Sequence, residues 1–566
     1  MAREVKIPDH KELQAKYAKG HSFNQSIDLY DKVKVNEDFF IGNQWEGVES
    51  NGLPTPTYNM FKRVVNFQVS TITSDNMAIQ ATPLPSTSRF SARQLEKICE
   101  ILNHQFAAIM ERNKIVAKNR EFLRNAAVTG DGCMHFYFDP NIENGQDVKG
   151  EIVAEIVDNL RVIFGNPNCR DVQRQPWIML VRRELVEDVQ YRAEELKEAG
   201  LCSMDDIDSI TPDSEAFQNK FDSHTDDKVT VMTYYFHNRE TGTIWCMEGC
   251  ESGIIRDAYD TGYTLYPLVW INWDYIRDCY HGQAMVTGLL SNQKFINKMF
   301  ALVGISLLTT AFPKVLYDKN RIRKWDGGVG QAIGVNGNVA DVVKIVEGAS
   351  VSPQIAQFIE MAFDKTHSLM GASDVAMGDS RPDNAAAIIS LQRAANTPME
   401  LTKQNDYQCL EDSARIWADI MSVRYGTRMV ETSLEMDKPG EQPLGMQLPT
   451  QTFVRPFDFS QLKEIQINIK LDAGASSYWS EMANVQTLEN LYMNKGITTK
   501  QFIERLPSGY ITRKQELLDD LAAAAMTPPV AQTGAGAGSQ PASDQLNPAG
   551  GPGNGALQRA LNKEGV

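Results

Sequence analysis

The chain has no glycine-rich loop ending in Gly-Lys-Ser/Thr and no Gly-Lys dipeptide anywhere, which excludes nucleotide hydrolysis by the P-loop route. It also lacks HExxH, GxSxG and an EF-hand loop, and its eight histidines stand apart from one another, each reading as a surface or satisfied core group. The longest apolar run, residues 299–312, falls short of the ~20 residues a membrane span requires and reads as a buried or intersubunit helix. Residues 1–30 are charged and polar with no apolar leader core, so no secretory signal and no membrane are expected. The cysteines at 99, 133, 169, 202, 246, 250, 279 and 409 form no framework of short spacings and read as reduced thiols. Only Cys246 and Cys250 are close, and no second Cys/His pair completes a tetrahedral zinc set, so a hairpin bearing two thiols is the reading there. Basic residues are few: 56 against 72 acidic, a net charge of -16, which argues against a surface that grips phosphates throughout.

The residues that are present suit a globular protein. At 566 residues, 42% of them hydrophobic, the chain exceeds one core and predicts roughly three or four folding units of ~150 residues. Leu95, Ile98, Leu102, Phe106 and Ile109 recur at helical spacing and predict one long amphipathic helix over residues 91–124, continuing to a break at Gly130-Asp-Gly132. Alternation predicts strands at 134–138, 151–157, 177–183 and 229–236, a helix over 186–199, and an acidic surface loop over 202–227.

From residue 282 the pattern turns helical as far as Thr310. A β-rich, Gly-containing stretch over 312–351 comes next, and Ser352-Pro353 then starts another helix, with serine as cap and proline in the first turn. Residues 371–384 read as a Gly/Pro loop, and 385–401 as a helix kinked at Pro398. Shorter helices are expected at 482–494, 498–506 and 512–525. After Met526 the chain is too poor in apolar residues to order itself. The fold class is α+β, mainly helical.

A set of short segments, taken in their order along the chain, is more informative than any one of them alone. Asn36-Glu-Asp-Phe-Phe-Ile-Gly-Asn-Gln-Trp45 places a glycine turn among Phe39, Phe40 and Trp45, and is succeeded by Pro56-Thr-Tyr-Asn59 and Val64-Val-Asn66. Further on come Tyr266-Pro-Leu-Val-Trp270, Asp278-Cys-Tyr-His-Gly-Gln283, Leu290-Ser-Asn-Gln293 with Asn297-Lys298, Gly378-Asp-Ser-Arg-Pro-Asp-Asn384, Lys495-Gly-Ile497 and Leu506-Pro507. In this order, over residues 36–525, the chain resembles the portal proteins of tailed bacteriophages, the head-to-tail connectors.

The resemblance implies an N-terminal arm (1–35), a wing (36–284), a stem helix (285–310), a clip (311–352) and a second stem helix (353–370). A tunnel loop (371–384), a returning wing with a long kinked helix (385–470), a crown (471–525) and a disordered tail (526–566) complete it. It further implies a ring, usually a dodecamer, at one capsid vertex of the virion, assembled in the host cytoplasm. Double-stranded DNA would pass through it during packaging and ejection without sequence specificity. The implied partners are the terminase large subunit, the head-completion or tail adaptor, and the major capsid or scaffolding protein. No cofactor, metal or enzymatic activity is implied.

A channel that lets DNA slide should be lined by few cations, since each neutralised phosphate adds affinity. Met377, Asp379, Ser380, Arg381 and Asp383 of the tunnel loop, with Lys294 and Lys298 on the stem helix, are the expected DNA-facing residues. Arg321, Arg323, Lys324 and Trp325 in the clip are the expected terminase or adaptor contacts, with a solvated charge run as the alternative. Two competing readings remain. One is another ring-forming connector; the other is a metal-dependent nucleic-acid enzyme using Asp379 and Asp383, with Asp374 nearby, although turn chemistry accounts for aspartates in such a loop.

Overall fold

The computed structural model describes residues 7–84 except 51, 53 and 76, then 90–213, 227–311, 314–322, 335, 338, 342–346, 353–369, 399–433, 452–473, 488, 489, 491–493, 497–505, 517 and 518. The chain divides into two compact units, Met1–Ser480 and Glu481–Val566.

The first unit opens with helices α1 (His10–Ser26), α2 (Leu29–Ile41) and α3 (Met60–Ile72), followed by strand β1 (Met77–Pro83). Two of the helix starts have a clear sequence reason: the Asp9 carboxylate accepts the Glu12 amide at 2.7 Å ahead of α1, and Asn59 accepts the Lys62 amide at 3.2 Å ahead of α3. The single helix expected from residue 91 is two helices, α4 (Ala92–Arg112), which opens on a Ser91/Gln94 capping box, and α5 (Ile115–Thr129). Asn113 makes the break. Its amide nitrogen donates to the carbonyls of Ile109 at 3.1 Å and Ile152 at 2.9 Å, its oxygen accepts the Ala154 amide at 2.8 Å, and Lys114 takes a left-handed conformation.

Strands β2 (Asp131–Asp139), β3 (Glu151–Val157) and β9 (Leu268–Asn272) form an antiparallel sheet in the order β3-β2-β9. A five-stranded antiparallel meander is built from β4 (Val162–Phe164), β5 (Trp177–Leu185), β6 (Lys228–His237), β7 (Ile244–Gly249) and β8 (Ile254–Tyr263). Helix α6 (Val186–Glu198) lies between β5 and β6 in sequence. Alternation in β5 has the expected consequence: Met179 and Val181 pack with Leu13 of α1, while Ile178 and Leu180 join the main core. Helix α1 is held on the meander by His10 and Gln14, each 3.0 Å from the Cys250 carbonyl, and by Lys16, whose ammonium lies 4.4 Å from the Tyr234 ring centre.

The loop expected from residue 202 is in part core, since Cys202, Met204 and Ile210 are buried against Val189 and Ala193 of α6. Apolar residues spaced among acids hid this role. Cys246 and Cys250 fall on and just after β7, in the hairpin the sequence suggested, and all eight cysteines are free. Among the described residues no group of carboxylates, histidines and cysteines is placed to hold a metal, and no helix is long and apolar enough to cross a membrane.

The second half of the unit contains α7 (Leu290–Ala311), the antiparallel pair β10 (Lys314–Tyr317) and β11 (Val343–Val346), and α8 (Pro353–Leu369). Helix α9 (Glu400–Arg424) returns the chain to the main core, where Leu410, Ala414, Trp417, Ile420 and Met421 are buried. Strands β12 (Thr427–Ser433) and β13 (Thr452–Asp458) form a hairpin, and β14 (Ile467–Ala473) pairs with β1. In the second unit, α10 (Thr499–Arg505) is preceded by Thr498, which exchanges hydrogen bonds with Gln501, and the Phe502 ring stacks on Tyr492 at 5.0 Å.

Candidate subunit-contact and channel segment

Four of the segments that carried the resemblance, 36–45, 56–59, 278–283 and 290–298, meet at the root of α7. Helix α2 ends at Gly42, which is left-handed at φ 103°, a conformation that costs glycine nothing and lets the chain turn back under Phe39 and Phe40. The turn delivers Gln44 into the interior, where its amide donates to the Phe39 carbonyl at 3.0 Å and its oxygen accepts from Asn297 at 2.6 Å. Gln293 donates to the Asn297 oxygen at 2.9 Å and to the Tyr58 carbonyl at 2.6 Å. Asn59 donates to the Phe40 carbonyl at 2.7 Å, and the Trp45 indole donates to the Pro56 carbonyl at 3.0 Å. Gln44, Gln293 and Asn297 are all buried, so these bonds fix the angle at which α7 leaves the body.

A second buried network secures the loop just before α7. The fully buried Asp131 carboxylate accepts from the Gly282 amide at 2.6 Å, Asn272 at 2.7 Å, Asn159 at 3.2 Å and His281 Nδ1 at 2.7 Å. The Tyr280 hydroxyl donates to the Val162 carbonyl at 3.1 Å, and burial pushes its pKa well up. A side chain at Gly282 would stand 2.8 Å from both the Asp274 carbonyl oxygen and the Asn272 Cβ, so only glycine fits. Asn36 donates to the Val128 carbonyl at 2.9 Å and to the Thr287 hydroxyl at 2.8 Å, tying α2 to the turn just before α7. His281 is thus a satisfied core histidine, one of the two roles its isolation in the sequence suggested.

Beyond the root, α7 and α8 meet through aromatic rings. Phe300 stacks on Tyr58 at 3.9 Å and meets Phe363 edge-on at 5.8 Å, while Phe295 meets Phe358 edge-on at 6.0 Å. Even so the segment is poorly covered: Phe295, Leu302, Leu307 and Leu308 of α7, Phe358 and Met361 of α8, and Leu316 and Tyr317 of β10 are all exposed, several by half or more. So many large apolar side chains on one segment mark a surface made for contact.

Of the expected site residues, Lys294 and Lys298 are exposed on α7, with the Lys294 ammonium 5.4 Å from the Phe39 ring centre. Arg321 is exposed and paired with Asp318 at 3.6 Å. Met377, Asp379, Ser380, Arg381 and Asp383, like Arg323, Lys324 and Trp325, lie outside the described residues. The expected stem helix from residue 285 begins at Leu290 instead, after a short 3-10 turn at Thr287–Leu289. Sequence reasoning missed Gln44, Asn297 and Asp131 as structural keystones, because their partners lie far away along the chain.

Compared with known families, residues 21–260 match the family model described as phage P22-like portal protein, which supports a phage portal protein. The matched range takes in the glycine turn at 42 and ends at β8, before the 278–283 loop and α7. No curated protein matches the chain.

Proposed function

We propose, on the premise of the portal family that this match supports, that the chain assembles into a closed ring at a phage capsid vertex and conducts double-stranded DNA during packaging and ejection. The observation that carries the reading is the convergence at the root of α7. Two buried polar networks orient an arm whose exposed apolar side chains have no role in a lone subunit. Heterologous contacts close such a ring, each subunit offering two different faces. Portal proteins are structural and non-enzymatic, and the subunit works here as a conduit.

In this reading α7, β10, β11 and α8 are the stem and clip, and residues 371–384, with Met377, Asp379, Ser380, Arg381 and Asp383, line the narrowest part of the channel. An acidic chain suits a lining that must not hold phosphates. The clip residues Arg321, Arg323, Lys324 and Trp325 meet the terminase large subunit and then the tail adaptor. Negative-stain electron microscopy with mass determination on the purified chain tests the ring: annular particles near twelve chains are expected, and a monomer under all assembly conditions would defeat the reading. Truncation of residues 311–352 separates a portal from another connector, because only a portal loses terminase binding.

A further inference from the structure

We propose that α7 and α8 of neighbouring copies pair through opposite charge, Lys294 and Lys298 of one copy meeting Glu360 and Asp364 of the next. The proposal rests on the ring reading above and names its seam.

The two helices carry charge of opposite kinds. Lys294 and Lys298 are the only charged residues of α7, whereas α8 carries Glu360 and Asp364, with Lys365 beside them. Both lysines and both acids are exposed, and each pair is spaced i,i+4, so each occupies one helix face. Phe295 and Phe300 bracket the side of α7 that meets α8 of the same copy, and Phe358 and Phe363 bracket the reciprocal side of α8. At about 100° per residue, the lysines lie on the far side of α7 and the acids on the far side of α8. Lys365 lies off to the flank of that acidic face.

Height along the arm points the same way. The Phe295–Phe358 and Phe300–Phe363 contacts set residues 294–300 level with residues 358–364. A cyclic operation preserves height along its axis, so in a ring with the arms standing along that axis the basic face of one copy arrives opposite the acidic face of the next. Exposed Leu302 and Leu308 on α7 and Met361 on α8 accompany the charges and would exclude water from the seam. Isolated exposed ion pairs contribute little, but repeated, apolar-flanked pairs set partner choice and register. Lys294 and Lys298 then face a neighbour rather than DNA.

The test uses charge inversion in the full chain, with electron microscopy and mass as the readout and circular dichroism to establish folding. Lys294→Glu with Lys298→Glu is expected to abolish rings, as is Glu360→Lys with Asp364→Lys, since each brings like charges together at every seam. An equimolar mixture of the two variants is expected to recover rings, because alternating copies restore opposite charge at every contact. Rings from either variant alone would overturn the seam, and a change in DNA retention by those rings would return the lysines to the channel. Folded variants whose mixture stays unassembled would overturn it also. Wild type assayed alongside separates the two levels: its failure to form rings overturns the ring reading and the seam together.

Discussion

The loop around Asp131 and the arm formed by α7 and α8 are joined at one root and opposite in design. At Asp131 both carboxylate oxygens have donors, the carboxylate is fully buried, and two glycines, Gly130 and Gly282, allow backbones to touch. In the arm, ring contacts hold two helices together while Leu302, Leu307, Leu308 and Met361 face outward. The first region is complete in a single chain. The second leaves large apolar side chains open, and in the proposed ring a neighbouring copy would cover them.

That division can be broken from either side. Asp131→Ala leaves four donors, two of them on the buried Asn159 and His281, without their acceptor, and a loss of about 3–5 kcal/mol is expected in denaturant unfolding of the subunit. Equal stability of the variant would show that the loop is held some other way.

A second effect on the body depends on pH. Asp406 of α9 is fully buried, accepts from Asn119 at 3.0 Å, and leaves its other oxygen without a partner. Burial pushes its pKa up to about 7, against the smaller opposing effect of the Asn119 hydrogen bond. Cys409 and Tyr407 on the same helix feel its charge as well. Because the folded form holds this proton more tightly than the unfolded one, the contribution is fully present below the unfolded carboxyl range and is lost as pH rises through about 7. Asp406→Asn should therefore raise the melting temperature at pH 8 relative to wild type and flatten its change between pH 5 and 8. A parallel pH profile in the variant would place the dependence elsewhere.

The smallest effect on the subunit is expected in the arm. Leu302→Ser with Leu308→Ser should shift unfolding of the lone chain by no more than about 0.5 kcal/mol per site. It should nevertheless abolish rings in electron microscopy. A large loss of subunit stability would show that these leucines are core after all.

Much of the fold was legible from local pattern. The strands at 151–157 and 177–183, the helix start at Pro353 and the Gly42 turn follow from period, the first-turn preference of proline and backbone freedom, all properties of neighbouring residues, while the expected serine cap at 352 lies outside the described residues. The features that escaped detection depend on distant partners. Asn113 reads as an ordinary helix residue until the Ile152 carbonyl and Ala154 amide arrive to bind it, and Asp131 as a turn residue until His281 packs against it. Helix α9, which the resemblance implied as a long kinked helix within 385–470, was hard to read from its own residues for another reason. Its buried face mixes Asp406, Ser413 and Ser422 with apolar residues, so its stripe is blurred. On α7 from Met299 onward the pattern is apolar nearly all round, which announces burial without saying against what; only the ring contacts to α8 separate a covered side from an open one.

The strap that α1 lays across the meander also imposes a timetable. His10 and its acceptor, the Cys250 carbonyl, are separated by 240 positions, so α1 emerges during synthesis long before the meander that seats it is complete. At typical translation rates that wait lasts on the order of ten to fifty seconds. Through that interval α1 must stay soluble on its own, which fits a helix whose face toward the sheet is anchored by a histidine, a glutamine and a lysine around a single buried leucine. A more greasy strap would dock as firmly and would be a hazard while it waited.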